Sequence, residues 1–123
     1  MAKVIVVDDD YSTTNLIRML LEMEGYAVST FTDTGSALQE AEKGVSAFII
    51  DCYLGKNTSG IDLLRAIRRH TATDVRDAPV IMVSGDQRLA KKVVDEGADM
   101  FLLKPYSPND LTRQVQDLIT ARA

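Results

Sequence analysis

KVIVVDDD, residues Lys3 to Asp10, is the stretch whose reading decides the fold. Its apolar core, Val4–Val7, runs without the polar alternation of a half-exposed strand, and three aspartates then arrive together. A short continuous apolar run of this kind fits a strand covered on both faces. AFIID (Ala47–Asp51) repeats the pattern, with apolar residues again running into an aspartate. PVIMV (Pro79–Val83) is a third buried run, with proline tolerated at its first residue, and Met100–Leu103 is the last strand. Tyr26–Phe31 alternates more and reads as a strand at a sheet edge.

Between these runs the period changes to that of a helix. Tyr11–Gly25 carries Leu16, Leu20 and Met23 at helical spacing and stops at Gly25. Thr34–Lys43 presents Ala37, Leu38 and Ala41 and closes at Gly44. A turn-rich loop, Gly55–Gly60, leads to a third helix with Ile61, Leu64 and Ile67, and polar Arg68–Ala78 reads as a loop. Gln87–Glu96 is a fourth helix, ended by Gly97. The closing helix opens on Ser107-Pro108-Asn109-Asp110, a cap, a first-turn proline and an acid at the third position. Its Leu111, Val115, Leu118 and Ile119 form one apolar stripe. Met19, Met23 and Met82 read as core filler. Five strands alternating with five helices predict a three-layer, doubly wound α/β domain over residues 1–123, with right-handed crossovers and a parallel sheet.

Composition narrows the class further. Hydrophobic residues at 46% and charged residues at 26% suit an ordinary globular chain with one core. No apolar run approaches the length of a membrane span and no leader precedes the first strand, so a cytoplasmic protein is expected. The single cysteine, Cys52, excludes an intrachain disulfide and fits a reducing compartment. It reads as a packed strand residue. A net charge of -4 argues against a nucleic-acid footprint on this domain. His70, the only histidine, lies in a polar stretch without a partner that would make it catalytic.

Polar residues interrupt the apolar pattern at strand ends. Asp8, Asp9 and Asp10 follow the first strand, Asp51 closes the third, Ser84 follows the fourth, and Lys104-Pro105 follow the fifth. In open α/β sheets ligands bind at that edge. Carboxylates gathered there would repel, and some would protonate, unless a cation joined them. A hard divalent ion with oxygen ligands resolves this, and Mg²⁺, with Mn²⁺ as a substitute, suits one or two carboxylates plus phosphate oxygens. A strand-end carboxylate can then attack phosphorus, with Lys104 and the Ser84 hydroxyl serving the phosphoryl oxygens. Taken singly, each feature has a plainer reading: a solvated acidic loop, a capping Asp51, a Ser84-Gly85 turn and a Lys104-Pro105 exit loop.

The chain resembles the receiver domain of two-component response regulators, the chemotaxis-type receiver included. The resemblance rests on VVDDD (Val6–Asp10), FIID (Phe48–Asp51), GIDLL (Gly60–Leu64), APVIMVSG (Ala78–Gly85) and EGADMFLLKPY (Glu96–Tyr106). It implies a flavodoxin-like strand order 2-1-3-4-5. It also implies that Asp51 is the phosphoacceptor and that Asp8, Asp9, Asp51 and the Tyr53 backbone carbonyl hold the metal. Ser84 and Lys104 match the hydroxyl and lysine that hold the phosphoryl group, and Ser84 and Phe101 the switch pair. Lys104-Pro105 matches a cis peptide. The implied partner is a histidine kinase or histidine phosphotransfer protein, with phosphorylation biasing the surface of the fourth helix, last strand and closing helix toward an output domain or target. The implied protein is a signalling switch and not a turnover enzyme, although it catalyses its own phosphorylation and slow dephosphorylation. No output domain is expected within residues 1–123.

Three departures stand out against that pattern. Leu54-Gly55 replaces the usual Met-Pro pair, and the loop to Gly60 is one residue longer. Tyr53 and Asp86 occupy the positions flanking the path of attacking water, where a bulky Tyr53 would lengthen the life of the phosphoryl group. Met100 and Gln114 replace an acid–arginine pair used in dimerisation, so a monomer or a weak phosphorylation-dependent dimer is expected. Two other classes compete. An aspartyl-phosphate phosphatase would want an acid two residues after the nucleophile, where Tyr53 stands. An FMN-binding flavodoxin-like module would want a hydroxyl- and glycine-rich loop where Asp8–Asp10 stand. A degenerate receiver used only for docking is opposed by the intact acid, serine and lysine set.

Overall fold

Each apolar run becomes a strand in the computed structural model, which describes residues 2–55 and 58–122. The strands are β1 (Lys3–Val7), β2 (Ala27–Phe31), β3 (Ala47–Asp51), β4 (Val80–Ser84) and β5 (Met100–Leu103). They form one sheet in the order β2-β1-β3-β4-β5, with every neighbouring pair parallel. β3 and β4 are buried along their whole length, as continuous apolar runs require, whereas edge strand β2 is only partly covered.

The helices among the described residues are α1 (Tyr11–Met23), α2 (Thr34–Ala41), α3 (Gly60–Arg68), α4 (Thr73–Arg76), α5 (Ala90–Asp95) and α6 (Pro108–Arg122). They cover both sheet faces and divide the core in two. Ile5, Val7, Phe48, Ile50, Val80 and Met82 pack with α2, α3, α4 and α5 on one side. Val4, Val6, Ile49, Ile81 and Val83 pack with α1 and α6 on the other. Successive strand residues point to opposite faces, so each central strand feeds both clusters.

Three expectations need correction. Among the described residues there are six helices and not five, because the polar stretch expected to be a loop contains α4, a single turn that buries Val75. The fourth expected helix is a 3₁₀ turn, Gln87–Leu89, followed by α5. In α1 the buried row is Thr14, Ile17 and Leu21, while Met19 and Met23 are 57% and 79% exposed. The row Leu16, Leu20, Met23 has similar spacing but lies around the helix from the sheet. A threonine enters the buried row because its hydroxyl donates to the Tyr11 carbonyl at 2.9 Å. Met82, in contrast, is fully buried as expected. Part of the Gly55–Gly60 loop, residues 56 and 57, lies outside the described residues.

Local sequence fixes how the helices meet the sheet. Asp10 caps α1 by accepting from the amides of Ser12 and Thr13, and Ser59 caps α3 by accepting from that of Ile61. The Gly60 amide donates to the Cys52 carbonyl at 3.0 Å, drawing the start of α3 against the end of β3. A Cβ at Gly60 would overlap the Asp51 carbonyl oxygen and lie 2.8 Å from its carbon and 2.9 Å from Ile50 Cγ2. Only glycine permits that approach. Gly60→Ala should therefore destabilise the domain by about 2 kcal/mol or more in urea unfolding, near the upper range for overpacking. A change below about 0.5 kcal/mol would show that α3 does not press on Asp51.

Candidate functional site

Strand order reverses between β1 and its two neighbours, so the chain ends of β1 and β3 open onto a crevice at the C-terminal edge of the sheet. The structure brings Asp8, Asp51, Ser84 and Lys104 to that edge from four different strand ends. Asp8, Asp51 and Ser84 are buried, while Asp9 is exposed at the mouth. One carboxylate oxygen each from Asp8, Asp9 and Asp51 lies within 4.8 Å of the others, a cluster that could hold a metal ion. All three donors are hard oxygens, which suits a small divalent cation better than a soft one.

Lys104 closes the cluster. Its Nζ lies 2.6 Å from Asp51 Oδ2 and 3.4 Å from Asp8 Oδ2. Burial pulls the Lys104 pKa down, but the carboxylates of Asp51 and Asp8 outweigh it and leave the ammonium above its usual range. Asp8 is displaced the other way. Burial raises its pKa, and the charge of Asp51 adds to this, against the Asp10 amide at 2.9 Å and Lys104, which both lower it. Asp51 Oδ1 accepts the Tyr53 amide at 3.0 Å, which leaves Oδ2 facing the lysine. The Lys104-Pro105 peptide bond is cis.

The remaining singled-out residues divide clearly. Ser84 Oγ accepts the Asp86 amide at 3.0 Å, tying the hydroxyl to the turn that begins α5. The Asp86 carboxylate receives both Nε and Nη2 of Arg88 at 3.0 Å and caps the 3₁₀ turn. The side chain of Tyr53 is 71% exposed, and the residue bridges Ser59 across the loop. Phe101 is partly buried against the cluster under α2, α3 and α5. Cys52 is buried, and burial next to Asp51 pushes its thiol up to about 11, so it stays protonated. Asp10 faces its own helix, and three hydrogen bonds from Ser12 and Thr13 hold its carboxyl below the usual range. His70 does have a partner: Nε2 lies 2.9 Å from Glu42 Oε2, and Nδ1 accepts the Ala72 amide.

Two further residues here have a structural role that sequence reasoning did not assign. Gly55 has φ of +90°, and a Cβ on it would come 3.4 Å from Asp9 Oδ2, so the departure from Met-Pro supplies a left-handed turn beside the exposed acid. Tyr106 lines a groove of about 420 Å³ between α1 and the start of α6, together with Asp10, Thr13, Leu16 and Lys104. Its only sequence signal was an aromatic two residues after Lys104.

A parallel doubly wound domain with an acidic cluster and a lysine at its switch point fits the receiver class of signalling domains. The chain matches the response regulator receiver domain across residues 4–116 and belongs to that family, the receivers of two-component systems. It is 32% identical over 121 residues to the transcriptional regulatory protein CpxR of Escherichia coli (strain K12), covering 97% of this chain and 50% of that one. It is 31% identical over 120 residues to the transcriptional regulatory protein ResD of Bacillus subtilis (strain 168), covering 95% and 48%. The chain thus spans about half the length of the curated relatives it matches. Among solved structures, a receiver domain protein from Clostridium thermocellum superposes with TM-score 0.85 at 28% identity, covering 99% of this chain and 97% of that one. The receiver domain of the Francisella response regulator 1452 gives 0.86 at 25% identity, with both chains fully covered. No helix among the described residues is long and apolar enough to cross a membrane.

The raised pKa of Asp8 has a sign that can be tested. Asp8 binds its proton more tightly in the folded chain than in the unfolded one. Its contribution to stability is therefore full below the ordinary aspartate range and is lost as pH rises through the raised value. At neutral pH the ionised group destabilises the fold, so Asp8→Asn should raise Tm by a few degrees. The gain should shrink as pH falls toward 4 in thermal melts without divalent metal.

Proposed function

We propose that this chain is a phosphoryl-accepting switch in which Asp51 takes the phosphoryl group of a phosphohistidine on a sensor kinase or phosphotransfer protein. The observation that carries this reading is the Lys104 ammonium 2.6 Å from Asp51 Oδ2, beside the Asp8–Asp9 pair. Asp51 attacks phosphorus, the phosphorus–nitrogen bond to the donor imidazole breaks, and its electron pair leaves with the imidazole. Asp8, Asp9, Asp51 and the Tyr53 carbonyl are the residues that would hold Mg²⁺, or Mn²⁺ in its place. The metal, when bound, offsets negative charge on the transferring group. Lys104 then stabilises the phosphoryl oxygens, and the buried Ser84 hydroxyl donates to one of them.

The same reading covers partners and timing. A donor approaching Asp51 meets the groove beside Lys104, whose apolar wall includes Leu16 and Ile17 and continues along α1 into exposed Met19 and Met23. That surface suits a helical donor with an apolar face. The output passes through Ser84 and Phe101 to the face made by α5, β5 and α6. With Met100 and Gln114 in place of an acid–arginine pair, the switch works mainly as a monomer. Reset is slow, because the exposed Tyr53 ring stands at the entrance used by water and offers no acid to speed hydrolysis. This is what separates the switch from a phosphatase. A cytoplasmic location, where such kinases present phosphohistidine, belongs to the same reading.

Incubation with Mg²⁺ and acetyl phosphate, followed by intact mass, should show one added phosphoryl group. The adduct should disappear in Asp51→Asn and without metal; no adduct in the wild-type protein would refute the proposal. For the lifetime, Tyr53→Asn should dephosphorylate several-fold faster than wild type. An unchanged rate would remove Tyr53 as the cause of slow reset.

A further inference from the structure

One polar atom in this domain is out of keeping with the rest. Tyr106 Oη is fully buried and has no hydrogen-bond partner, the only such side-chain atom among the described residues. A buried donor without an acceptor destabilises the state that contains it, and native proteins seldom keep one. The position is close to the chemistry. Tyr106 stands two residues after Lys104, lines the groove that Lys104 also lines, and immediately precedes Ser107, whose hydroxyl accepts the Asp110 amide at the start of α6. Burial pushes the phenol up to about 12, and the charges that act on it are those of Lys104, Asp8, Asp51 and Asp10. The hydroxyl therefore remains a donor throughout the physiological range and lies in the field of the acidic cluster.

At rest the neighbouring carboxylates accept from other donors, and none accepts from the phenol. Asp8 takes the Asp10 amide on Oδ1 and Lys104 on Oδ2, and Asp10 takes Ser12 and Thr13. Lys104 is itself only a donor and offers the phenol nothing. Transfer of a phosphoryl group to Asp51 would draw Lys104 onto the new oxygens and away from Asp8, whose carboxylate keeps a lone pair for a further donor even with one oxygen on the metal. We propose that Tyr106 is a positioning residue whose hydroxyl, unpartnered at rest, gains a carboxylate acceptor in the acidic cluster when Asp51 is occupied. The occupied state is thereby favoured and the wall of the α1–α6 groove shifts. This deepens the phosphoryl-acceptor reading above and rests on it.

The test compares wild type with Tyr106→Phe in the presence of Mg²⁺ and beryllofluoride, a stable mimic of the acyl phosphate. A merely structural tyrosine would lose stability on becoming phenylalanine. The proposal expects Tyr106→Phe to be at least as stable as wild type at rest, yet to bind beryllofluoride about three- to tenfold more weakly, the scale of one hydrogen bond. In wild-type protein labelled at tyrosine Cζ, the Tyr106 resonance should shift on adding Mg²⁺ and beryllofluoride, and this holds even if the variant fails to fold. Equal affinity in a folded variant, or a resonance that does not move while beryllofluoride binds, would overturn the inference and leave Asp51 as acceptor intact. Failure of wild type to bind beryllofluoride at all would overturn the acceptor reading and this inference with it.

Discussion

Three carboxylates and one ammonium share the C-terminal edge of a sheet whose interior is otherwise apolar, and the rest of the molecule is arranged around that concentration of charge. Asp8 and Asp51 are buried, and the charge of Asp51 adds to the cost of ionising Asp8. The Lys104 contact at 2.6 Å compensates one of them and reaches the second only at 3.4 Å. Two formal negative charges, with Asp9 nearby, therefore face one positive charge. A cation bound there would offset the excess, and β1 and β3, buried along nearly their whole length, hold Asp8 and Asp51 in place.

The parts of the fold legible in the sequence were those with a single physical solution. Lys3–Val7, Ala47–Asp51 and Met100–Leu103 are strands with the bounds the apolar runs suggested, since a run of four or five such residues ending in a polar one leaves little freedom. α4 was not legible because one turn in a polar stretch has no periodicity, and its only buried anchor is Val75. In α1, Leu16, Leu20 and Met23 competed with Thr14, Ile17 and Leu21, and apolarity alone favoured the wrong row. Thr14 can stand in the buried row because its hydroxyl is satisfied within the helix, which hydrophobic patterning does not register.

The site was more legible than the helices that support it. Asp8, Asp9, Asp51, Ser84 and Lys104 were recognisable because each ends an apolar run, and the topology brings all such ends together. Gly60 was visible as part of a motif, but its reason, the backbone of Asp51 pressed against it, is a matter of distance that no spacing reveals. Tyr106 was invisible for the opposite reason: an aromatic after a lysine and a proline is an ordinary core residue unless its hydroxyl is found without a partner.

The division of the interior into two clusters has a consequence for how such a domain can diversify. Each central strand alternates its side chains between the layer under α1 and α6 and the layer under α2, α3, α4 and α5. Substitutions confined to opposite layers share no side-chain neighbours, so their effects should combine nearly independently. One layer carries the α1 surface beside the groove, and the other carries Phe101 and most of the remaining helices. The two layers can thus be rewritten separately over evolutionary time, while the strand ends that carry Asp8, Asp51 and Ser84 stay in place between them.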